Sequence, residues 1–486
     1  MIAYFVIAVY LLSSLGLGIV GYRQQKNTPD AYFLADRQIG TFVLFFTLIA
    51  TNLSSFFFLG FAGAGYRIGI SYYPMMSLGS GLIALSFYVI GHKVWILGKE
   101  QDLITPSELI DYCCRSQTLK LLVLMVMVIF TLPYLALQPI GAGYLLESLT
   151  NGQIPYFAGA SLLTLVIVFY VSIGGMKSVA LTDVLQGILM FILMIAALLT
   201  VGHNLGGITQ ANLALYELKP ELFSREGLDN FFTKPKWFSY MLLWFLCVPM
   251  FPQMFMRFYL PKTSNSLKTS AVLYPVVTIL LFICPVLIGM WGHLQFPDLV
   301  GKETDQILPM MLAEYTPVWV SSLVMVGALA AFMSTLDSQL LALSSMLTRD
   351  IYISYLRPQA SLREQTLIGR ILVVILAGIG LIIALNPPDT ILDIITESFT
   401  GLAVLFPTVI AALYGKNIPP LSCIISILVG EAMLISFQQQ LIPSTWTGGF
   451  LPVVPIVVVC SGIIVVVSRI FPMEGTTKTQ RTQRKS

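Results

Sequence analysis

The chain has 486 residues, of which 56% are hydrophobic and only 10% charged, with a mean hydropathy of +0.83. A soluble chain of this length would form about three domains and carry about a quarter charged residues, so a water-soluble globule is excluded and an integral membrane protein is implied. A net charge of +3, with only a short basic tail at Lys478, Arg481, Arg484 and Lys485, excludes an extended nucleic-acid surface.

Crossing the hydrocarbon takes about 20 apolar residues as helix, and thirteen stretches reach or approach that length. The first, 2–22, has no basic residue before Arg23 and no cleavage site, so it is read as a permanent helix rather than a leader. The second, 41–65, carries Ala50-Thr51-Asn52-Leu53-Ser54-Ser55 in mid-membrane and then Gly60-Phe61-Ala62-Gly63-Ala64-Gly65, polar and glycine-rich where an anchor would be leucine and valine. Spans 72–97, 119–146 and 154–174 follow, and the sixth, 183–202, opens on Asp183, a residue type that also favours a helix N-cap. The seventh, 238–260, has Cys247-Val248-Pro249-Met250-Phe251-Pro252-Gln253 in its middle, and its two prolines remove two amide donors and push the chain off helix. Spans 269–292, 317–347, 367–386, 391–415, 418–438 and 451–470 complete the series, with Glu431 of the twelfth expected to make a structural polar contact.

Unwound backbone in lipid is tolerated only where it faces protein, a cavity or an ion. Interrupted spans two and seven stand at matching places in two five-helix units, spans two to six and seven to eleven, and because five is odd the units are inverted. The expected fold is all-α and integral to the membrane, with about thirteen transmembrane helices, one extra N-terminal helix and a five-plus-five inverted repeat with two broken helices. Its parts are the extra helix and its cytoplasmic loop at 1–40, the first repeat at 41–203 and an extracellular loop at 204–237. The second repeat at 238–416 follows, then two peripheral helices and the basic cytoplasmic tail at 417–486.

Loops that stay in the cytoplasm hold most of the Lys and Arg. With the first span ending inside, inside segments hold twenty, among them Arg257, Lys262 and Lys268 after span seven, and outside segments hold six. This bias predicts an outside N-terminus and a cytoplasmic C-terminus.

On span nine Ala331, Ser334, Thr335 and Ser338 stand at i, i+3, i+4 and i+7 and share one helical face. Hydroxyls together with unwound carbonyls form the oxygen-only, weakly charged cage that suits sodium; the same spacing also serves back-bonding to the preceding turn or helix packing. Asp337 lies beside them, and a carboxylate at membrane depth faces a cavity or a partner. His92, His203 and His293 are far apart and the six cysteines show no metal or disulfide spacing.

The chain resembles the sodium/solute symporter family, which includes proline, pantothenate, sialic acid and sodium/glucose carriers. The likeness runs from about Tyr32 to Lys416. It rests on Tyr32-Phe33-Leu34-Ala35-Asp36-Arg37, the Ala50–Gly65 segment, Tyr170-Val171-Ser172-Ile173-Gly174-Gly175-Met176-Lys177-Ser178 running into Thr182-Asp183-Val184-Leu185-Gln186-Gly187, Pro252 to Arg257, and Met333 to Tyr352. The resemblance implies a LeuT-type inverted repeat preceded by one helix. It implies a main sodium site made by the carbonyls of Ala50, Leu53 and Ala331 with the hydroxyls of Ser334 and Thr335. A second sodium, bound in some members, would lie near Asp183, Ser334, Asp337 and Ser338; Asp337 stands where sialic acid carriers have serine. The solute pocket would lie beside Asn52, Ser54, Ser55 and Phe57 on span two, Tyr72, Tyr73 and Met76 on span three, and Gln138 on span four. Asn52 replaces the aspartate of proline carriers and Phe57 the histidine of glucose carriers.

The resulting expectation is a cytoplasmic-membrane secondary transporter that moves sodium and a small polar organic solute together by alternating access. It is not an enzyme, since no nucleophile, base and orienting group recur together. It needs no cofactor apart from the coupling sodium, and its partners are the solute, sodium and the bilayer, with no nucleic acid and no obligatory protein. A proton-coupled carrier with Asp183 or Asp337 as the proton site, and a transporter-like solute sensor, stand as alternatives. The solute is left open among sugar, amino acid, carboxylate and vitamin.

Overall fold

The computed structural model describes residues 2–26, 28–150, 152–386 and 391–471; the basic tail with Lys478, Arg481, Arg484 and Lys485 lies outside them. Among the described residues the secondary structure is helical, apart from one bridge that pairs Ile39 with Pro261. Helices pair most of their backbone groups within the segment, which is the condition for a chain to lie in hydrocarbon.

In chain order the elements that matter are α1 (Ile2–Gln24), α2 (Thr41–Asn52), α3 (Phe56–Ile68), α4 (Tyr72–Gln101), α5 (Pro106–Cys114), α6 (Gln117–Leu149) and α7 (Tyr156–Asn204). After the short helix α8 (Ile208–Leu218) come α9 (Lys234–Cys247), α10 (Pro252–Arg257), α11 (Ser264–Leu294), α12 (Val318–Leu356), α13 (Leu362–Ala384), α14 (Ile391–Tyr414), α15 (Pro420–Gln438) and α16 (Val453–Ile470). Ten helices among the described residues are long and apolar enough to cross a membrane by themselves, and the α2–α3 pair makes an eleventh as one bent span.

The sequence expectation of more spans meets this count at two places. One is α7, whose 49 residues would extend about 74 Å if straight, more than twice a hydrocarbon core of about 30 Å. It is not straight. Gly175 has φ 52° and ψ −148°, a region open to glycine, and a side chain there would strike the Tyr32 carbonyl. Contacts with α1 show the reversal. Tyr4 Oη donates to Gln153 Oε1 (2.6 Å) and Tyr170 packs on Gly18, while beyond the glycine Ser178 Oγ donates to the Gly18 carbonyl (2.6 Å) and Gln186 Nε2 to Tyr10 Oη (3.1 Å). The chain therefore runs along α1 in one direction up to Gly175 and back in the other.

The second place is the pair α9 and α10, each too short to span. Between them lie a 3-10 turn, Val248–Met250, and Phe251 in extended conformation (φ −61°, ψ 130°), so the two prolines break the helix as expected. In α2–α3 the break falls at Leu53 (φ −85°, ψ 94°), and the two halves are bent by 60°.

Helix α12 is the axis of the molecule: every residue from Val324 to Met346 is buried. By contrast α1 and α16 keep much of their apolar surface exposed, as helices facing lipid do. Helix α5 starts with a capping box in which Thr105 Oγ1 accepts from Glu108 N (3.1 Å) and Glu108 Oε2 accepts from Thr105 N (3.3 Å).

Candidate functional site

The break in α2–α3 frees backbone groups, and side chains from other helices satisfy them. Ser334 Oγ, on α12, donates to the Ala50 carbonyl (2.8 Å) and also lies 3.1 Å from the Ala331 carbonyl. Thr335 Oγ1 donates to the Thr51 carbonyl (3.1 Å). On the far side of the break, Ser54 Oγ accepts from Phe56 N (3.2 Å) and Gln138 Oε1, on α6, accepts from Ser55 N (3.1 Å). Unwound chain is thus held against α12 and α6 by hydroxyl and amide side chains that are all buried.

Of the residues expected at a main cation site, the structure brings Ala50, Ala331 and Ser334 into direct contact, with Thr335 on the next carbonyl and Leu53 at the break itself. All five are buried and all face one another with oxygen atoms or lie beside such groups. No acid contributes to this set, so it is a weakly charged oxygen cluster, the type that suits a monovalent hard cation.

One turn along α12 the second expected set also comes together, around a residue that sequence reasoning placed elsewhere. Arg257, counted among inside-loop cations, is fully buried at the end of α10. Its Nη2 pairs with Asp183 Oδ2 (3.0 Å) and donates to Ser338 Oγ (2.5 Å), its Nε donates to the Thr47 carbonyl (3.1 Å) and hydroxyl (3.0 Å), and its Nη1 donates to the Gln253 carbonyl (3.0 Å). An arginine near the end of a span adds to a positive-inside count whether or not it is solvated, which is why the count did not reveal its burial. Asp183 does not cap a helix: it lies within the returning arm of α7, and its Oδ2 also accepts from the Thr47 hydroxyl, while Oδ1 has no partner. Asp337 accepts from Tyr170 Oη (2.6 Å) and Ser338 Oγ (2.9 Å). Ser338 Oγ also lies 2.7 Å from the Ser334 carbonyl, the alternative acceptor for its one proton, and 3.0 Å from Thr51 Oγ1, so the two sets share one hydroxyl track.

Above the break is a cavity of about 410 Å³ between α3, α4, α9, α11 and α14. Of the residues expected beside the solute, Asn52, Phe57 and Met76 line it. Ser54, Ser55 and Gln138 instead support the backbone behind it, Tyr72 packs edge-on against Phe61 (5.3 Å between centroids), and Tyr73 Oη donates to the Ile279 carbonyl (3.2 Å). The wall that sequence reasoning missed is aromatic: Phe56, Phe61, Tyr134, Trp244, Phe282 and Phe399. Trp244 could have been found, since it stands one turn before the Pro249 break. Among the described residues no lining residue is charged and the buried Trp244 Nε1 has no partner, while Asn52 Nδ2 donates to Tyr274 Oη.

Other expected features lie apart from these sites. Glu431 makes no polar contact among the described residues, and both its carboxylate oxygens are buried without a partner, so the structural contact expected of it is not found. His293 Nε2 meets the Tyr66 carbonyl (2.8 Å), and no cluster of three potential metal ligands of the His, Cys, Asp or Glu type occurs among the described residues.

Residues 32–430 match the sodium:solute symporter family. The chain is 27% identical over 436 residues to a sodium/pantothenate symporter of Haemophilus influenzae, covering 89% of each protein. It is 28% identical over 472 residues to the osmoregulated proline transporter of Bacillus subtilis, covering 94% of this chain and 93% of that one. A sodium/proline symporter of Staphylococcus aureus is 26% identical over 487 residues, with 97% and 93% covered. Among solved structures, a substrate-bound, outward-open sodium-coupled sialic acid symporter superposes with a TM-score of 0.80 at 17% identity, over 97% of this chain and 98% of that one. A nucleobase-cation-symport transporter in a closed conformation gives 0.60 at 14% identity, over 93% and 98%. Both share the fold.

Proposed function

Because the chain belongs to the sodium:solute symporter family, we propose that it carries sodium and a small polar organic solute together across the cell membrane by alternating access. The observation that carries this reading is the tie between the unwound chain of α2–α3 and the Ser334–Thr335 face of α12. Sodium takes the carbonyls of Ala50, Leu53 and Ala331 and the hydroxyls of Ser334 and Thr335, which then turn lone pairs to the ion in place of their present donor bonds. The ion thereby joins the hinge of α2–α3 to the helix at the axis, and this makes the position of α3 depend on sodium. A second cation beside Asp183, Ser334, Asp337 and Ser338 belongs to the same reading, and the guanidinium of Arg257 is its competitor for that space.

The solute occupies the aromatic cavity, oriented by Asn52 and by the free Trp244 Nε1, with Phe57 and Met76 shaping it. Tyr72, Tyr73, Ser54, Ser55 and Gln138 set its walls from behind. Thirteen crossings follow when α7 counts as a hairpin and both α2–α3 and α9–α10 as single broken spans. They divide as one extra helix, five-helix repeats over 41–203 and 238–416, and two peripheral helices, with the N-terminus outside and the C-terminus cytoplasmic.

The energetics are sufficient. One sodium moving inward through −100 mV releases about 2.3 kcal/mol, and a tenfold gradient adds about 1.4 kcal/mol, enough for several-hundred-fold accumulation of a neutral solute. The test is uptake into reconstituted vesicles under an inward sodium gradient, with choline replacing sodium at fixed pH. Proline and pantothenate, carried by relatives, are the first solutes to try. Uptake that follows a proton gradient and ignores sodium would support the proton-coupled alternative instead.

A further inference from the structure

Outside the ion and solute sites, one buried charge pair joins three separate elements at the outer face. Arg67 stands at the end of α3, the outer half of the first broken span, and its Nη1 lies 3.1 Å from Asp305 Oδ1 and donates to the Thr304 hydroxyl. Asp305 belongs to the turn Gly301–Gln306, which follows α11. Its other oxygen accepts from Ile391 N (3.0 Å), the first amide of α14. The Asp305 side chain is 8% exposed and that of Arg67 22%. The carboxylate rests on Gly63, where any side chain on α3 would collide with it, so α3 approaches this turn as closely as a backbone can.

The pair also has a defined place relative to the two cavities. Asp305, Ile391 and Leu59 line an outer cavity of about 470 Å³, while Phe56, Phe57 and Phe399 line the inner one. Both cavities are thus flanked by the same two helices, α3 and α14, and Asp305 holds those helices together from the outer end. Arg67 Nη2 is buried without a partner, which leaves the guanidinium with a spare donor and the closed arrangement incompletely satisfied.

We infer that Arg67 and Asp305 form the outer latch of the transport cycle. Resting on the alternating-access reading above, the latch acts as follows. With the pair made, α3 is fixed to α14 and the inner cavity is shut off from the outer one. When the pair parts, α3 is free to swing at its hinge, Leu53, and the inner cavity opens outward. Neither residue touches solute or ion; both act by positioning α3.

The test is labelling by a membrane-impermeant maleimide from outside. Phe399→Cys reports on the inner cavity, and Ile394→Cys, in the outer cavity, reports the amount of folded protein at the surface. In the otherwise unchanged protein Phe399→Cys should react slowly and Ile394→Cys quickly. Adding Asp305→Asn or Arg67→Gln should speed labelling at Phe399→Cys by about fivefold to tenfold, with Ile394→Cys unaltered. The double variant should be no faster than either single one, because each removes the same interaction. Arg67→Lys and Asp305→Glu should restore part of the slow rate. Wild-type rates in both single variants, or additive effects in the double, would overturn the latch. If the Asn or Gln variants fail to reach the surface, Thr304→Val, which keeps both charges and removes the hydroxyl that accepts from Arg67 and donates to the Gly301 carbonyl, takes their place, and it too must speed labelling. Labelling needs no solute, so a latch that fails leaves sodium-driven uptake intact, whereas absent sodium-driven uptake counts against the transport reading alone.

Discussion

Replacing Ser334 or Thr335 with alanine removes one oxygen from the proposed sodium cage and one hydroxyl that ties α12 to the broken helix. The structure separates the two losses. Each hydroxyl donates to a freed carbonyl, Ser334 to Ala50 at 2.8 Å and Thr335 to Thr51 at 3.1 Å. A neutral bond of this kind contributes about 1 kcal/mol net to stability, so each alanine variant should melt a few degrees lower in detergent in choline, and lower still relative to wild type in sodium, where wild type gains more from the ion. An oxygen that faces a charge contributes more, about 1.5 to 3 kcal/mol, and that part is lost only when sodium is bound. The half-saturating sodium concentration for uptake should therefore rise about tenfold to a hundredfold at unchanged membrane abundance. Thr335→Ser keeps the oxygen and should stay within a few-fold of wild type. The assay is initial uptake into vesicles as a function of sodium at constant ionic strength. Wild-type half-saturation in both alanine variants would refute the site assignment, because a purely structural hydroxyl shifts melting without shifting sodium dependence.

Four further outcomes follow. Asp183→Ala leaves the Arg257 guanidinium buried without its carboxylate and should cost about 3 to 5 kcal/mol, whereas the pair Asp183→Asn and Arg257→Gln together should cost less than the sum of the single changes; additive melting shifts would deny the pairing. In reconstituted vesicles, the sodium Hill coefficient and the charge moved per solute for wild type, Asp183→Asn and Asp337→Ser decide between one coupled ion and two, and unchanged values of one in all three would leave only the Ser334–Thr335 site. Single cysteines at Asn265 or Arg357 should react only from the cytoplasm and one at Asp229 only from outside, and cytoplasmic labelling of Asp229 in sealed, oriented vesicles would overturn the topology. Burial raises the Asp305 carboxyl above its ordinary range, against the opposing effect of Arg67 and the Ile391 amide and with Asp393 adding to the rise. Protonation on lowering the outside pH removes the charge that Arg67 needs, so acid should speed labelling of Phe399→Cys, and Asp305→Asn should abolish that pH dependence.

Much of this protein was legible along the chain, because hydrocarbon imposes its conditions locally. Twenty apolar residues in a row announce a crossing wherever they occur. The Pro249–Pro252 pair and the Ala50–Ser55 stretch announce a break, since proline lacks a donor and polar residues mid-membrane need partners. Spacing alone put Ala331, Ser334, Thr335 and Ser338 on one face, and the same face meets the break in three dimensions. What hydropathy does not record is partnership. Arg257 and Asp183 are 74 residues apart and Arg67 and Asp305 are 238 apart, and a charge near a membrane edge reads the same in sequence whether it is solvated or buried against its opposite. The aromatic wall of Trp244, Phe282 and Phe399 was hidden for a related reason: in an apolar span a ring that lines a cavity and a ring that faces lipid are equally favourable, and only the packing of α3, α9, α11 and α14 around one space decides which it is.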